Sequence, residues 1–392
     1  MQIKPRPHQE RGDAAMQQHN KGQLIYPTGG GKTLNMIMDA VREFSKETPQ
    51  TIVVVAPRIL LAEQLSAEFL EFITNAEVMH VHSGETHHES STRPREIRNW
   101  VDSNAGNHRL IVTTYNSLQR LVDAEVAVDT IYFDEAHNSV KRNFFPATEH
   151  FAAEAQRCYF FTATRKTSLT PSKPGMNDVD VYGNIICRVS APELVDGGYI
   201  IAPKIVAKKF DVLAPKQVTA ECDSGNLTET LDDIDCKKIL VCVKSAKQLI
   251  NLMSHTDCAS QLHQRGYSYL YITSKTGAII DGKKVNREVF FDTLNSWGRD
   301  PNKKFVCLHR SILSEGINVS ELEAVVFLRN MDVIEMTQTI GRVLRLGGKE
   351  KVWGLCVVPV YSKVGVSTER ALQRVVDAVF EKGEMLDSVV RR

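Results

Sequence analysis

The chain of 392 residues has no pair of cysteines spaced C-x-x-C. Its eight cysteines are scattered, so the ligand spacing of a zinc knuckle and of a thioredoxin-like redox site are both missing. No apolar run approaches the length of a membrane span, and the polar opening "MQIKPRPHQERGD" lacks a secretory pattern. These absences lead us to expect reduced thiols in a cytoplasmic protein with no membrane partner. An excess of charge of one sign is lacking too. Lys and Arg number 48 against 47 Asp and Glu, a net charge of +1, so no global basic field announces a nucleic-acid partner. A partner bound in a cleft between domains would not need one. There is no residue-level repeat, low-complexity tract or coiled-coil heptad.

What is present is ordinary for a globular protein: 42% hydrophobic and 24% charged residues. The length suggests two or three domains of about 150 residues. Short apolar runs, "QLIY", "TIVVVAP", "EVMHVH", "RLIVTTY", "TIYFDEAH" and "RCYFFTAT", alternate with amphipathic stretches in the first half. One such stretch is "ILLAEQLSAEFLEFI", with Leu61, Leu65, Phe69 and Phe72 expected on one helix face. Alternation of this kind predicts a parallel sheet covered on both faces. It pauses at "DGGYIIAPKIVAKKF", which suits a connection, and "TAECDSGNLTETLDDIDCKK" reads as loop or insertion. A second α/β unit follows, with the strands "KILVCV", "YSYLYIT", "KFVCLH", "AVVFLR" and "WGLCVVPV". In "TSKTGAIIDGKKVN" the residues Gly277, Asp281 and Gly282 suggest a hairpin or a mobile loop, without an evident job.

Two segments carry chemistry. "IYPTGGGKTL" ends as a phosphate-binding loop ends, but the first glycine of G-x-x-x-x-G-K-[ST] falls on Tyr26. A strand feeds a turn of Pro27, Thr28, Gly29, Gly30 and Gly31, then a helix from about Thr33. Backbone N–H groups at a helix start attract anions, and glycine admits a close approach. Lys32 is expected to reach the β and γ phosphates of ATP, and the Thr33 hydroxyl to bind Mg²⁺. About a hundred residues later "IYFDEAH" sets Asp134 and Glu135 at the end of an apolar strand, where open α/β sheets hold ligands. Asp134 is expected to hold Mg²⁺ and Glu135 to deprotonate the attacking water.

"PTGGGKT" followed by "DEAH" resembles the superfamily 2 helicases, more specifically the type III restriction-subunit-like and the phage or repair branch-migrating DNA helicases. In that group the position of Tyr26 is often not glycine. The resemblance continues in order. "RPHQ" is similar to the adenine-reading element, which implies base recognition by Arg6 and Gln9, and His137 of the box joins the nucleotide-site set. "APRILLAEQ" resembles a motif in which Pro57 and Arg58 face the nucleic-acid backbone. "VTTYNSL" resembles another, through Thr113 and Thr114, and "FTATRK" resembles the coupling motif, through Thr162 and Thr164. In the second half "YITSKTG" loosely resembles a motif that would bring Thr273 and Ser274 to nucleic acid. "LHRSILSEGINVS" adds Ser311 to the nucleic-acid set, and Gly316 and Asn318 to the nucleotide set. The family often has Asp where this chain has Asn318, and an amide there bonds without charge. "QTIGRVLRLG" resembles Q-x-x-G-R-x-x-R, implying catalytic roles for Gln338, Arg342 and Arg345, the two arginines as phosphate-reaching fingers.

The resemblance implies an α/β fold of two tandem RecA-like domains, each a mostly parallel sheet flanked by helices, with ATP and Mg²⁺ bound in the cleft between them. We expect the domains at 1–203 and 204–392, and a monomer in the absence of accessory proteins. DNA is expected over RNA as the partner. The RNA group usually carries an aromatic residue well upstream of its adenine-reading Gln, and Gln9 has only eight residues before it. No nuclease is visible, so recombination, repair or replication support is expected. The rivals are an RNA remodeller and an ATP-binding clamp without turnover. In "MHVHSGETHHES" metal binding by His80, His82, His87 and His88 is conceivable, but the alternation of His80 and His82 fits a strand end and no cysteine or carboxylate has ligand spacing, so a solvated loop is expected; Trp100, Trp297 and Trp353 are expected in cores.

Overall fold

The structure, a computed structural model, describes residues 4–84, 86–170, 172–209, 219–273, 275–310, 321–328, 333–343, 354–360, 363–385 and 388–389. The chain divides into two compact units, the first ending at Val189 and also taking in Ser388 and Val389, the second running from Ser190 to Met385.

The first unit is built on β1 (Lys21–Ile25), β2 (Thr51–Ala56), β3 (Ala76–Val81), β4 (Glu89–Ser90), β5 (His108–Thr114), β6 (Thr130–Phe133), β7 (Arg157–Thr162), β8 (Lys166–Thr167) and β9 (Ile185–Arg188). Eight of these form one parallel sheet in the order β4-β3-β5-β2-β6-β7-β1-β9. Every residue of the β2 run "TIVVVA" is buried, as a β-branched strand covered on both faces must be. The helices α1 (Pro7–Gln18), α2 (Lys32–Glu43) and α3 (Ile59–Leu70) follow or precede these strands. On α3 the buried face is Ala62, Leu65, Ser66 and Phe69, one position round from part of the expected stripe.

The second unit holds β10 (Pro203–Lys209), β11 (Lys238–Cys242), β12 (Ser268–Thr273), β13 (Gly277–Ile280), β14 (Lys283–Val285), β15 (Phe305–His309), β16 (Ala324–Phe327) and β17 (Gly354–Val360), in the order β10-β17-β16-β11-β15-β12-β13-β14. Only the β12–β13 and β13–β14 pairings are antiparallel. A last strand, β18 (Ser388–Val389), pairs with β8 in the first unit. "PKIVAKK", expected in the connection, is the edge strand β10. "TSKTGAIIDGKKVN" takes the hairpin form, and Asp281 and Gly282 both have φ near +44° and +79°, which an Asp-Gly hairpin turn accepts.

One expectation is corrected. "TAECDSGNLTETLDD" is a helix, Thr219–Asp233, not a loop. Its buried stripe, Ala220, Ser224, Leu227 and Leu231, has helical spacing, but a serine occupies one place. The polar side chains it buries are satisfied locally. Thr228 donates to the Ser224 carbonyl at 2.9 Å, Thr230 to the Asn226 carbonyl at 2.6 Å, and Asp223 accepts from the Gln248 amide at 2.8 Å. The single stretch "SAKQLINLMSHTDCASQLHQRG" is two helices, Ala246–Ser254 and Cys258–Gln264.

α2 is fixed to its sheet by charge. Asp39 is fully buried on its inner face. The Arg157 guanidinium on β7 donates both Nη atoms to it, at 2.8 and 2.7 Å, and also reaches Glu43 at 3.0 Å. The Tyr132 hydroxyl on β6 donates to Asp39 at 2.7 Å, and Arg42 joins Asp39 to Asp13 of α1. Burial alone would lower the Arg157 guanidinium, but the hydrogen bonds and charge of Asp39 raise it above its ordinary value. Removing one partner of such a set strands a buried charge. Arg157→Leu is therefore expected to destabilise the first unit by about 3 kcal/mol, read as a lowered urea midpoint for that unit. A midpoint within error of the parent would show that the network is dispensable.

Candidate nucleotide site

β1 ends at Ile25 and the chain turns through Pro27–Gly31 into α2. Tyr26 donates its N–H to the Thr162 carbonyl at 3.0 Å, tying the start of the turn to the end of β7. Its side chain is wholly buried, with the hydroxyl near the His8 carbonyl at 3.3 Å. Gly29 and Gly31 have φ of +89° and +76°, a left-handed backbone that side chains resist. A Cβ at Gly31 would also lie 2.2 Å from the Gln9 amide nitrogen. Gly31 caps α2 and, having no side chain, offers none to the first N–H groups of the helix. The Thr28 hydroxyl is buried and bonds nothing.

β6 delivers the acidic pair beside this loop. The Asp134 N–H donates to Val55 of β2 at 2.9 Å, and its carbonyl accepts from the Tyr115 hydroxyl at 2.9 Å. Glu135 then takes the left-handed region, φ +45°, at a cost of about 1 kcal/mol for a residue with a Cβ. Its carboxylate receives the Lys32 ammonium at 2.9 Å and lies 3.5 Å from His137 Nδ1. His137 Nδ1 also meets the Thr162 hydroxyl at 3.1 Å. Thr162 thus touches both segments, through its carbonyl to the loop and its hydroxyl to the box, and donates that hydroxyl to the Thr164 carbonyl at 3.0 Å. Burial lowers His137 to about 4, so the ring is neutral at ordinary pH. Burial first, and then the charge of Glu135, push the Asp134 carboxyl up to about 7.

Lys32, Glu135 and His137 are therefore brought together from the ends of β1 and β6, which flank β7, with Asp134 next to Glu135 and Thr33 half-buried in the first turn of α2. Gln9 packs against the loop. Its amide donates to the Gly31 carbonyl at 3.2 Å and accepts from the Arg6 N–H at 2.8 Å, so both ends are engaged by backbone. Arg6 caps α1, half-buried. Pro57 and Arg58 stand where β2 passes into α3, with Arg58 exposed. Thr113 and Thr114 are buried at the end of β5, and the Thr113 hydroxyl donates to the Val81 carbonyl at 2.8 Å. Thr273 is half-buried at the end of β12. Ser274, Ser311, Gly316, Asn318 and Arg345 lie outside the described residues. Gln338 and Arg342 fall on the helix Val333–Val343, their side chains likewise outside the description.

Three contributors escaped the sequence reading. His8 meets the Gly30 carbonyl at 2.8 Å, Asn35 donates to the Gln9 carbonyl at 2.8 Å, and Asn138 donates to the Glu135 carbonyl at 3.0 Å. Only their closeness to the motifs could have flagged them. The histidine loop is corrected: His80 and His82 are buried, bonded in series from the Ser66 hydroxyl at 2.8 Å to each other at 3.2 Å, and only His87 is exposed. Trp100 is buried, Trp297 is half-buried under Lys303 at 4.1 Å, and Trp353 lies outside the described residues.

Residues 2–167 match the family described as type III restriction enzyme, res subunit. No curated protein matches. Among solved structures the chain is similar to the ATP-dependent type ISP restriction-modification enzyme LlaBIII bound to DNA, at 15% identity and a TM-score of 0.74, covering 99% of this chain and 31% of that one. It is also similar to the Pyrococcus furiosus Hef helicase domain (14% identity, TM-score 0.55, 93% and 97% covered). A Saccharomyces cerevisiae Dbp5 variant bound to RNA and ADP BeF3 resembles it as well (16%, 0.62, 99% and 90%). The chain spans less than a third of the length of the two type ISP enzymes it matches, 31% and 29%. Residues 2–167 are thus similar to that family, and the fold of the chain is that of tandem RecA-like domains.

An acid whose pKa is raised on folding keeps its proton in the folded chain at pH values where the unfolded chain has lost it. The cost of a buried Asp134 is thus absent below about pH 4 and complete above about pH 7. Asp134→Asn is expected to raise the melting temperature of the unliganded protein at pH 8, with the gain shrinking toward pH 4. Equal gains at both values would deny that burial penalises this carboxylate.

Proposed function

We propose that the chain is a nucleic-acid-dependent ATPase that uses Mg²⁺ and moves on or remodels DNA. The observation that carries this reading is the meeting of Lys32 and Glu135 at 2.9 Å, which joins the phosphate loop to the acidic box. The residues fit the nucleotide and its metal. The loop presents an orphaned Thr28 hydroxyl and two left-handed glycines, and Thr33 and Asp134 are hard oxygen donors of the kind Mg²⁺ takes. When bound, the ion would neutralise phosphate charge.

The chain's own residues have separable tasks. Lys32 exchanges Glu135 for phosphate oxygens. Glu135, released, accepts a proton from the attacking water. Neutral His137 lies 3.5 Å from the second Glu135 oxygen and bonds Thr162, at the end of β7. Support for DNA as the track comes from the restriction-subunit family match and from the DNA-bound type ISP enzymes.

The test compares ATP hydrolysis with no polymer, duplex DNA, single-stranded DNA and RNA. Stimulation by DNA is expected, and stimulation by RNA alone would move the track to RNA. Indifference to every polymer would end the reading. Lys32→Ala is expected to abolish turnover in a folded protein. Glu135→Gln should slow turnover by about 10²- to 10⁴-fold while nucleotide binding persists, and loss of binding there would reassign the carboxylate.

A further inference from the structure

The backbone that leads into Glu135 is held by a hydroxyl from outside the acidic box. Tyr115 follows β5, and β2 lies between β5 and β6. The Tyr115 N–H donates to the Ala56 carbonyl, at the end of β2, at 3.1 Å. The ring stacks on Phe133, the last residue of β6, at 6.1 Å and on Phe144 at 5.6 Å. The hydroxyl then donates to the Asp134 carbonyl at 2.9 Å, and the whole residue is buried.

A phenylalanine could fill the same place and make the same stacks. A buried hydroxyl costs free energy unless it is bonded, so what distinguishes tyrosine here is the carbonyl it meets. Burial first, and then the charges of Asp134, Tyr182 and Glu135, hold the phenol well above its ordinary value. The hydroxyl therefore keeps its proton at neutral pH and stays a donor.

That carbonyl governs the conformation of the next residue. The Asp134 oxygen and the Glu135 nitrogen share one rigid peptide plane. Turning the plane changes ψ of Asp134 and φ of Glu135 together. The Asp134 N–H is fixed on Val55 at 2.9 Å, so with the carbonyl fixed on Tyr115 both sides of Asp134 are set. Glu135 is thereby left at φ +45°, a region that residues with a Cβ seldom occupy. A freed plane would turn to relieve it. In the observed conformation the Glu135 carboxylate meets Lys32 at 2.9 Å.

We propose that the Tyr115 hydroxyl is a positioning group for Glu135: it holds the Asp134–Glu135 peptide in the orientation that sets the carboxylate against Lys32 of the phosphate loop. The proposal rests on the ATPase reading above. Tyr115 touches no reacting atom in it and acts through the carboxylate.

The experiment measures kcat and KM for MgATP on the full chain, in whichever of the four polymer conditions above stimulates it most. The variants are Tyr115→Phe, Tyr115→4-aminophenylalanine, Glu135→Gln and the double variant Tyr115→Phe/Glu135→Gln. Tyr115→Phe is expected to lower kcat by about 10²-fold, the effect of misplacing a reacting group by about 1 Å, and to leave KM near the parent's. The amino ring keeps a donor at the same place and should restore most of the rate. In the Glu135→Gln background the loss of the hydroxyl should cost nothing further, because groups that act as a unit are not additive. A merely structural role would lower both backgrounds alike. Parental kcat in Tyr115→Phe overturns the proposal, and so does an equal fall in both backgrounds. A raised KM with kcat unchanged overturns it too. A parent that hydrolyses ATP in no condition sinks the ATPase reading, and the positioning role is then decided by a crystal structure of unliganded Tyr115→Phe. Glu135 is expected there to leave both the left-handed region and Lys32. A Glu135 that keeps both would show that the hydroxyl positions nothing.

Discussion

The candidate site depends on where the first turn of α2 points, and that is set by a buried carboxylate. Asp39 sits two turns down the helix from Lys32 with no exposure. A charge there is tolerable because Arg157 meets it with two hydrogen bonds, Tyr132 with a third, and Arg42 pairs with it as well. Arg157 and Tyr132 come from β7, which ends at Thr162, and β6, which ends at Phe133 just before Asp134. One ionic cluster therefore locks the helix carrying the lysine to the strands carrying the acids. An apolar contact could supply comparable energy but not this register, because apolar surfaces slide and a bidentate pair does not.

That lock allows the two motifs to hold each other in check. Lys32 and Glu135 are both partly buried, and each would be costly to leave alone there. Paired, they satisfy each other's charge. On the proposed ATPase reading, phosphate would break the pair by offering Lys32 a better anion. The bent backbone at Glu135 serves this arrangement. An extended residue after Asp134 would continue the direction of β6, whereas the left-handed turn brings the carboxylate back over the loop.

Much of this was legible in the sequence, for identifiable reasons. Continuous β-branched runs such as "TIVVVA" are diagnostic because both faces of a parallel sheet are covered, and the two α/β units follow from their alternation. The glycine turn and the acidic pair could be located at strand ends because both are short fixed patterns that follow apolar runs, and the structure brings them together. What stayed hidden depends on partners distant in sequence. Nothing in "RCYFFT" indicates that its arginine will reach a helix more than a hundred residues earlier. His80 and His82 looked solvated because polarity was read without the neighbours that satisfy them. The helix Thr219–Asp233 looked like a loop because its hydroxyls bond back to its own carbonyls, a local solution that composition conceals.

Tyr26 shows how a departure from a motif can be structural and not a loss. The general phosphate-loop pattern has glycine at this place, without a side chain, whereas here the ring is wholly buried. Room for it is made elsewhere: a Cβ at Gly12 would lie 1.8 Å from the Tyr26 hydroxyl oxygen. The small residue that the ring requires is Gly12 of the helix. The ring then helps hold α1 against the loop, together with the His8–Gly30 and Gln9–Gly31 contacts. A glycine at 26 would leave a cavity beneath Gly12 and loosen α1. A side chain at 12 would evict the ring. The two positions are thus one packing unit, and the phosphate loop keeps the glycines that its left-handed turns require, Gly29 and Gly31.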